Sequence, residues 1–124
     1  MIIKIPFKTP TVNHIYFNWN NRRILTKEAR ELKKEILEIV QKVKQPFNKK
    51  TFLEVNVKIY EDWFTKKGEI KRKDISNREK FLIDSIFEAL GLDDKQIFIH
   101  TMKKKQSSKE YAEIIIEEYK GDIF

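Results

Sequence analysis

The sequence predicts a single α+β domain in which two helices pack against a mixed β-sheet, in the order β-(ββ)-α-β-α-β-β. Three observations favour this class. Residues 26–44 and 77–90 repeat apolar side chains at helical spacing, and residues 51–60 alternate them as a half-buried strand does. The length of 124 residues, 40% of them hydrophobic, suits one core. We therefore treat residues 1–124 as one domain.

The first third of the chain predicts short strands followed by a helix. Residues 2–7 are expected to form a strand, which Pro6 would end or confine to an edge. Residues 15–25 resemble two short strands joined by the Asn-rich turn around 18–21, because asparagine tolerates a positive φ. Thr26 is a suitable N-cap for an amphipathic helix over 26–44, which Gln45 and Pro46 end.

The rest of the chain predicts a second helix between strands. After the strand at 51–60 comes a polar, basic loop over 62–73. We expect Ser76 to cap a helix over 77–90 and Gly91 to be its C′ residue. Its apolar side chains span an arc of roughly 160°, wider than the stripe of an ordinary surface helix. Strands at 96–102 and 110–118 complete the set.

The composition excludes several functional classes. The chain has no Cys and only two His, which excludes thiol nucleophiles, disulfides and Cys-ligated metals and leaves little room for a His-rich zinc site. No apolar run approaches the ~20 residues that span a bilayer, and the first ten residues do not resemble a signal peptide. We expect a soluble, cytoplasmic protein with no membrane partner.

The net charge of +7 is concentrated in the first half of the chain. Residues 1–50 have 12 basic and 4 acidic side chains, whereas residues 81–124 have 6 and 9. A basic field attracts polyanions such as DNA by steering and counterion release. A solvated Lys- and Glu-rich surface without a partner is the alternative that charge alone leaves open.

The stretch from Arg72 to Ile97 carries the most informative chemistry. Asp74 precedes the second helix, Lys80 lies on its first turns, and Asp93 and Asp94 follow it. Carboxylate oxygens on separated elements are ligands that Mg²⁺ prefers, and a nearby lysine stabilises charge in a phosphoryl transition state. The same residues also suit a capping segment and a turn, and their chemistry alone does not decide between these possibilities.

The order of these motifs resembles the RusA family of Holliday junction resolvases. The family signature is an Asp-x-Asp-Asn-x-x-Lys run opening a helix, a mid-helix Asp, and then Asp-Asp-x-Gln-Val/Ile before a strand. In this sequence the matching positions are Asp74, Asn77, Lys80, Asp84, Asp93, Asp94, Gln96 and Ile97. A Pro-x-x-x-Asn-like start (Thr9 to Asn13), an Asn/Arg-rich hairpin and a Thr-Lys-x-Ala helix entry extend the resemblance over essentially the whole chain.

The resemblance implies a dimeric, Mg²⁺-dependent endonuclease, with Mn²⁺ as a possible substitute, that makes paired nicks in four-way DNA junctions. By motif match, Asp74 and Asp94 bind the metal, Asp93 is an accessory ligand and Lys80 is catalytic. Ser76, Asn77 and Asp84 are expected around these groups. The residues expected to contact DNA are Asn13, Arg22, Arg23, Lys71, Arg72, Lys73, Lys103, Lys104 and Lys105.

One position departs from the family pattern, because Ser76 replaces the second Asp of the signature. A serine hydroxyl removes one negative charge from the expected metal site. The alternative function is therefore a junction-binding protein of weak catalytic activity on the same scaffold. A small assembly protein whose basic face meets an acidic partner is the hypothesis from another class.

Geometry favours an active site shared by two chains over a site within one chain, which would need a short or sharply bent helix or a loop that folds back over the helix. Fourteen helical residues place the helix ends, and hence Asp74 and Asp94, roughly 21 Å apart, too far for one Mg²⁺. Antiparallel packing of two 77–90 helices would bring Asp74 of one chain near Asp94 of the other, and the wide apolar arc favours such a contact. His100, in the strand over 96–102, has no carboxylate pair nearby, and we expect it to be structural.

Overall fold

The computed structural model describes residues 1–11 and 15–124 and confirms the α+β class. The strands are β1 (Ile2–Ile5), β2 (Tyr16–Trp19), β3 (Arg22–Leu25), β4 (Leu53–Glu61), β5 (Ile97–Gln106) and β6 (Tyr111–Glu118). The helices are α1 (Lys27–Gln41) and α2 (Ile75–Leu90), and a short 3₁₀ helix spans Asp94–Gln96. No helix in the described part of the chain is both long and apolar enough to cross a membrane.

Four strands form a mixed sheet in the order β1-β6-β4-β5. β4 and β5 are parallel and are joined through α2, whereas β6 runs antiparallel to both β1 and β4. β5 is an edge strand and is almost entirely exposed. The β5 edge of the sheet is therefore accessible.

The hairpin of β2 and β3 forms a separate two-stranded sheet. Its two turn residues, Asn20 and Asn21, have φ values of 50° and 61°. Positive φ at both central positions is the geometry of a type I′ turn, whose twist matches the flanking strands. The asparagine-rich sequence thus predicted both the position and the chemistry of this turn.

The strict alternation of β4 determines where the core lies. Leu53, Val55, Val57 and Ile59 are buried beneath the helices together with Ile114 and Ile116 of β6. Period-two alternation places every second side chain on one face, and the helices cover that face. Glu61 continues the same series at the end of β4 and is therefore buried despite its charge.

The start of α2 differs from the sequence prediction. Ser76 is not the N-cap; α2 begins at Ile75 and Asp74 occupies the cap position in an extended conformation. The Asp74 side chain makes no capping hydrogen bond. Since Asp is as favourable a cap as Ser, the sequence pattern did not distinguish the two positions. Thr26 does cap α1, accepting a hydrogen bond from the Ala29 amide at 3.2 Å.

The wide apolar arc of α2 is used within one chain. Phe81, Leu82, Ile83, Ile86 and Phe87 are all buried, because α2 packs against the sheet and against α1. The width of the arc therefore no longer supports a helix–helix dimer interface. The exposed face of α2 is polar and carries Ser76, Lys80 and Asp84.

Candidate active site and DNA interface

The loop before α2 is anchored to the sheet by Trp63. Its indole Nε1 donates hydrogen bonds to the carbonyls of Ile59, at 3.2 Å, and Lys105, at 3.1 Å. The Lys71 amide in turn donates to the Trp63 carbonyl at 2.8 Å. This anchoring of the returning chain fixes the approach of residues 71–74 to α2.

A buried ionic cluster lies directly beneath this segment. One oxygen of Glu61, Oε2, accepts from Lys73 Nζ at 3.1 Å and lies 3.5 Å from Arg78 Nη2. Glu61 is 2% exposed and Arg78 is 4% exposed. Arg78 also donates to the carbonyl of Thr9. The cluster thus ties the end of β4, the first turns of α2 and the segment after β1 together.

A basic cavity of about 980 Å³ opens beside this cluster. Six basic and two acidic side chains line it, so its wall has an excess of positive charge. The charged residues are Lys8, Glu28, Lys71, Arg72, Lys73, Asp74, Arg78 and Lys104. Three of the predicted DNA-binding residues in the loop and one in β5 therefore share a single cavity with Asp74. A concave, cationic surface of this kind suits a phosphate backbone.

A second cleft of about 460 Å³ lies between α2 and β5. Its lining residues are Ser76, Glu79, Lys80, Ile83, Asp84, Asp94, Ile97 and His100. The fold therefore brings the predicted catalytic residues Lys80 and Asp94 to the same cleft, together with Ser76 and Asp84. Lys80 Nζ lies 3.7 Å from Asp84 Oδ2, as their spacing predicted.

Asp74 and Asp94 do not line the same cavity. Asp74 and Asn77 border the basic cavity, whereas Asp94 borders the α2–β5 cleft. Over residues 1–11 and 15–124, no group of three or more Asp, Glu or His side chains is placed to hold a metal ion. The exposed carboxylates of Asp74 and Asp94 are of the type that Mg²⁺ prefers.

Asp93 and Gln96 of the signature have structural contacts. Asp93 caps the 3₁₀ helix by accepting from the Lys95 amide at 3.0 Å, and this hydrogen bond is the main reason that its pKa is lowered. Gln96 Oε1 accepts from the Asp93 amide, while its Nε2 donates to the carbonyls of Asn48 and Thr51. These contacts fix the position of Asp94 at the end of the cleft.

Glu79 and His100 form a pair in the same cleft that the sequence did not indicate. His100 Nε2 lies 3.0 Å from Glu79 Oε1. Burial, aided by the nearby Asp84 charge and opposed by Lys80, raises the pKa of Glu79 to about 7. Burial also lowers the pKa of His100. The sequence did not indicate this partner of His100, because the carboxylate comes from α2 and not from its own strand.

The remaining predicted DNA contacts are spread over different surfaces. Lys104 lines the basic cavity, with Nζ 4.8 Å from the Trp63 ring centroid, whereas its neighbours Lys103 and Lys105 point to the opposite face of the strand. Arg23 of the hairpin lies over the Tyr16 ring at 4.2 Å, and Arg22 is exposed beside it. The prediction for Asn13 lies outside the described residues.

Comparison with protein families agrees with the signature and the element order. The family model described as endodeoxyribonuclease RusA matches residues 6–117 of the chain. The chain belongs to the RusA family. This family of endodeoxyribonucleases places the basic cavity and the α2–β5 cleft on a nuclease scaffold. No curated protein matched the chain in a separate search.

Because the match runs from residue 6 to residue 117, it includes every residue that lines the basic cavity and the α2–β5 cleft. The residues outside it are 1–5, which include β1, and 118–124, which begin with the last residue of β6. The family assignment therefore rests on most of the sequence and not on one motif.

Proposed function

We propose that the chain is a metal-dependent endonuclease that cuts four-way DNA junctions by paired nicks. The observation that carries this proposal is the juxtaposition, around the first half of α2, of a cationic cavity bordered by Asp74 and a cleft bordered by Lys80 and Asp94. Membership of the RusA family supports the same activity.

The protein groups have separate roles in this proposal. Lys71, Arg72, Lys73 and Lys104 attract and orient the phosphate backbone in the basic cavity. The Lys80 ammonium group is exposed and stabilises negative charge that develops on the phosphate oxygens during cleavage. Asp84 restrains the lysine through their contact on successive turns of the helix.

We propose Mg²⁺ as the metal, with Asp74 and Asp94 as its protein ligands and Mn²⁺ as a possible substitute. Mg²⁺ supplies Lewis acidity at the scissile phosphate and is commonly held by one or two carboxylates together with substrate phosphates. The freedom of the Asp74 side chain from capping supports this assignment. Asp93 is at most an accessory ligand, since its carboxylate caps the 3₁₀ helix.

A homodimer with shared sites is part of the proposal. Asp74 and Asp94 border separate cavities in one chain, and paired nicking needs two symmetry-related sites. The exposed polar face of α2, with Ser76, Lys80 and Asp84, is the part of the helix that a second copy can approach. Antiparallel packing there would bring Asp74 of one chain toward Asp94 of the other.

A junction-binding protein with weak activity is the second candidate, and Ser76 favours it. The residue lines the α2–β5 cleft, where the family signature has a carboxylate. With a hydroxyl there, the cleft has one charge fewer for binding a cation. The basic cavity does not depend on this position, so junction binding would be retained.

A cleavage assay on a labelled four-way junction separates these possibilities. We expect binding to the junction far above matched duplex at moderate salt, and cleavage with Mg²⁺ that EDTA abolishes. Asp94→Asn is the matched control, expected to bind the junction and not cut it, because it loses one charge and keeps its shape.

Each other outcome selects a different function. Junction binding without cleavage by the wild-type protein would support the weak binder. Failure to prefer the junction over duplex would refute both and favour an assembly protein. Cleavage by Asp94→Asn at the wild-type rate would refute the metal assignment.

A further inference from the structure

The basic cavity contains more polar chemistry than a surface for backbone phosphates needs. Within the described part of the chain, five buried side-chain atoms have no hydrogen-bond partner: Asn56 Oδ1, Glu61 Oε1 and, in residues beside this cavity, Thr9 Oγ1, Thr11 Oγ1 and Arg78 Nε. The last three residues line the cavity. Buried polar groups are nearly always hydrogen-bonded, so three unpartnered ones around one cavity indicate a ligand that completes them.

The charge in the cavity wall is also uncompensated. Lys73 and Arg78 share a single carboxylate, that of Glu61, and Arg78 is only 4% exposed. One positive charge therefore remains at this point of the wall. Lys73 is partly accessible, with 25% of its side chain exposed, and a phosphate group in the cavity would pair with its charge.

The size and the lining of the cavity indicate something larger than a phosphate. Cavities of about 300–1,000 Å³ hold whole small molecules, and this one measures about 980 Å³. Beside the cations and hydroxyls it has an apolar wall made of Pro10, Ile15, Ala29 and Leu32. Cation, hydroxyl and apolar surface together match the phosphate, sugar and base of one nucleotide.

We infer that the cavity binds a single unpaired nucleotide of the DNA strand that passes Asp74, with its phosphate at Lys73 and Arg78 and its sugar and base against Thr9, Thr11 and the apolar wall. The inference rests on the proposed function and names the part of the substrate that enters the cavity. A nucleotide within a duplex is stacked on both sides and cannot enter, so the ligand has left the stack. The branch point of a junction is where unstacking costs least.

Fluorescence of 2-aminopurine, which rises when the base unstacks, tests the inference in EDTA, where no cleavage occurs. The base is placed in turn at each branch-point position of a four-way junction, and also in a short single strand. The test variant combines Thr9→Val and Thr11→Val, which remove both hydroxyls with little change of shape. The control is Thr51→Val, outside both cavities, whose hydroxyl accepts from the Asn48 amide at 3.1 Å.

Wild-type protein is expected to raise the fluorescence at one branch-point position. The double variant should bind the junction about fivefold more weakly and lose most of that rise, because each hydroxyl contributes one hydrogen bond to the ligand. Its resistance to urea should stay the same or increase, since replacing an unpartnered buried hydroxyl by a methyl group removes a desolvation cost. Thr51→Val should show the opposite pattern, with lower stability and unchanged binding.

Three results would overturn the inference: no fluorescence rise with wild-type protein on either probe, an unchanged rise and affinity in the double variant, or a loss of stability with unchanged binding. The last result would mean that the hydroxyls bind water. The single strand keeps this test independent of junction specificity. Suppose that wild-type protein raises the fluorescence of the single strand while the double variant does not, and that the junction is neither preferred nor cut. In that case the proposed function fails, but the inference of a nucleotide-binding cavity stands.

Discussion

Ser76 is the residue at which this chain departs most clearly from its family signature. It lies in the first turn of α2 and borders the cleft that also contains Lys80 and Asp94. The first turn of α2 contains no acidic residue, so a carboxylate there would interact favourably with the helix dipole. The position can therefore accept an aspartate without cost to the helix.

Ser76→Asp is expected to raise cleavage or leave it equal, and to lower the Mg²⁺ concentration that gives half-maximal activity. It is also expected to leave the free energy of unfolding within about 1 kcal/mol of wild type. Metal titrations of the junction cleavage rate measure the first effect and urea unfolding the second. Ser76→Asn is the control, because asparagine has the size of aspartate without its charge. It should not change the Mg²⁺ concentration that gives half-maximal activity. A large loss of activity in Ser76→Asp would mean that the site is built around the hydroxyl.

Glu79 makes the stability of the protein depend on pH in a specific direction. Its pKa rises on folding from the ordinary value of 4.5 to about 7, so the folded state binds the proton more tightly than the unfolded state does. Stability should therefore fall as the pH rises from about 4.5 to about 7. Burial lowers the pKa of His100, so the folded state binds this proton less tightly than the unfolded state does. The contribution of His100 to stability therefore rises as the pH increases toward the ordinary pKa of 6.5.

Glu79→Gln isolates the carboxyl contribution. In urea unfolding at pH 5, 6 and 7, we expect the stability of wild type relative to Glu79→Gln to fall with pH, by no more than about 1.4 kcal/mol per unit. The charged and polar groups that share the cleft, Ser76, Lys80, Asp84, Asp94 and His100, are present in both proteins. Parallel stability curves for the two proteins would contradict the raised pKa.

At the scale of elements, α2 carries two ion pairs in very different surroundings. Arg78 and Glu61 form a buried pair that joins α2 to the end of β4. Lys80 and Asp84 form an exposed pair, with side chains 65% and 51% exposed. Buried and exposed pairs differ greatly in the cost of losing one partner, because only the buried charge is then left without solvent.

Glu61→Gln is expected to lower the free energy of unfolding by about 3 kcal/mol, since it leaves the charges of Arg78 and Lys73 without a counterion. Asp84→Asn, the matched carboxyl-to-amide change on the exposed pair, should alter it by no more than about 0.5 kcal/mol. Chemical unfolding at pH 7 measures both. Equal effects of the two substitutions would contradict the burial of the Glu61 cluster.

Most elements were predictable from the sequence, because local rules govern them. Thr26 caps α1, the two asparagines form the hairpin turn, and β4 alternates between buried and less buried residues, as the sequence predicted. The cap of α2 was not predictable, since Asp74 and Ser76 are equally good caps two residues apart. The Glu79–His100 pair and the Glu61–Lys73–Arg78 cluster were not predictable either, because they depend on how α2 lies across β4 and β5.

At the scale of the whole molecule, Asp94 lines the same cleft as Ser76, so the chain after α2 folds back beside the first turns of the helix, and the predicted separation of about 21 Å does not describe Asp74 and Asp94. In one chain they border different cavities on either side of the first half of α2. The predicted contact between the apolar faces of two α2 helices is no longer supported, because α1 and the sheet cover the apolar residues of α2. The dimer remains a proposal that rests on these carboxylates and on the need for two sites.

Mixing Asp74→Asn with Asp94→Asn subunits tests whether the sites are shared. In a shared arrangement the heterodimer has both defects in one site and leaves the other intact, so nicking returns in part. In sites confined to single chains, both remain defective and no nicking returns. Each variant alone should bind the junction and not cut it, and sedimentation should give a dimer at assay concentration. A monomer there would refute the shared site.

Cleavage of a supercoiled plasmid that extrudes a cruciform tests the central claim most directly. The cruciform arms form a four-way junction, and two nicks made within one binding event convert the supercoiled circle to the linear form. We predict that Mg²⁺ produces linear plasmid cut at the cruciform base, while EDTA, or a relaxed plasmid without the cruciform, gives no product. Accumulation of nicked circles alone, or equal cutting of the relaxed plasmid, would contradict paired nicking of four-way junctions.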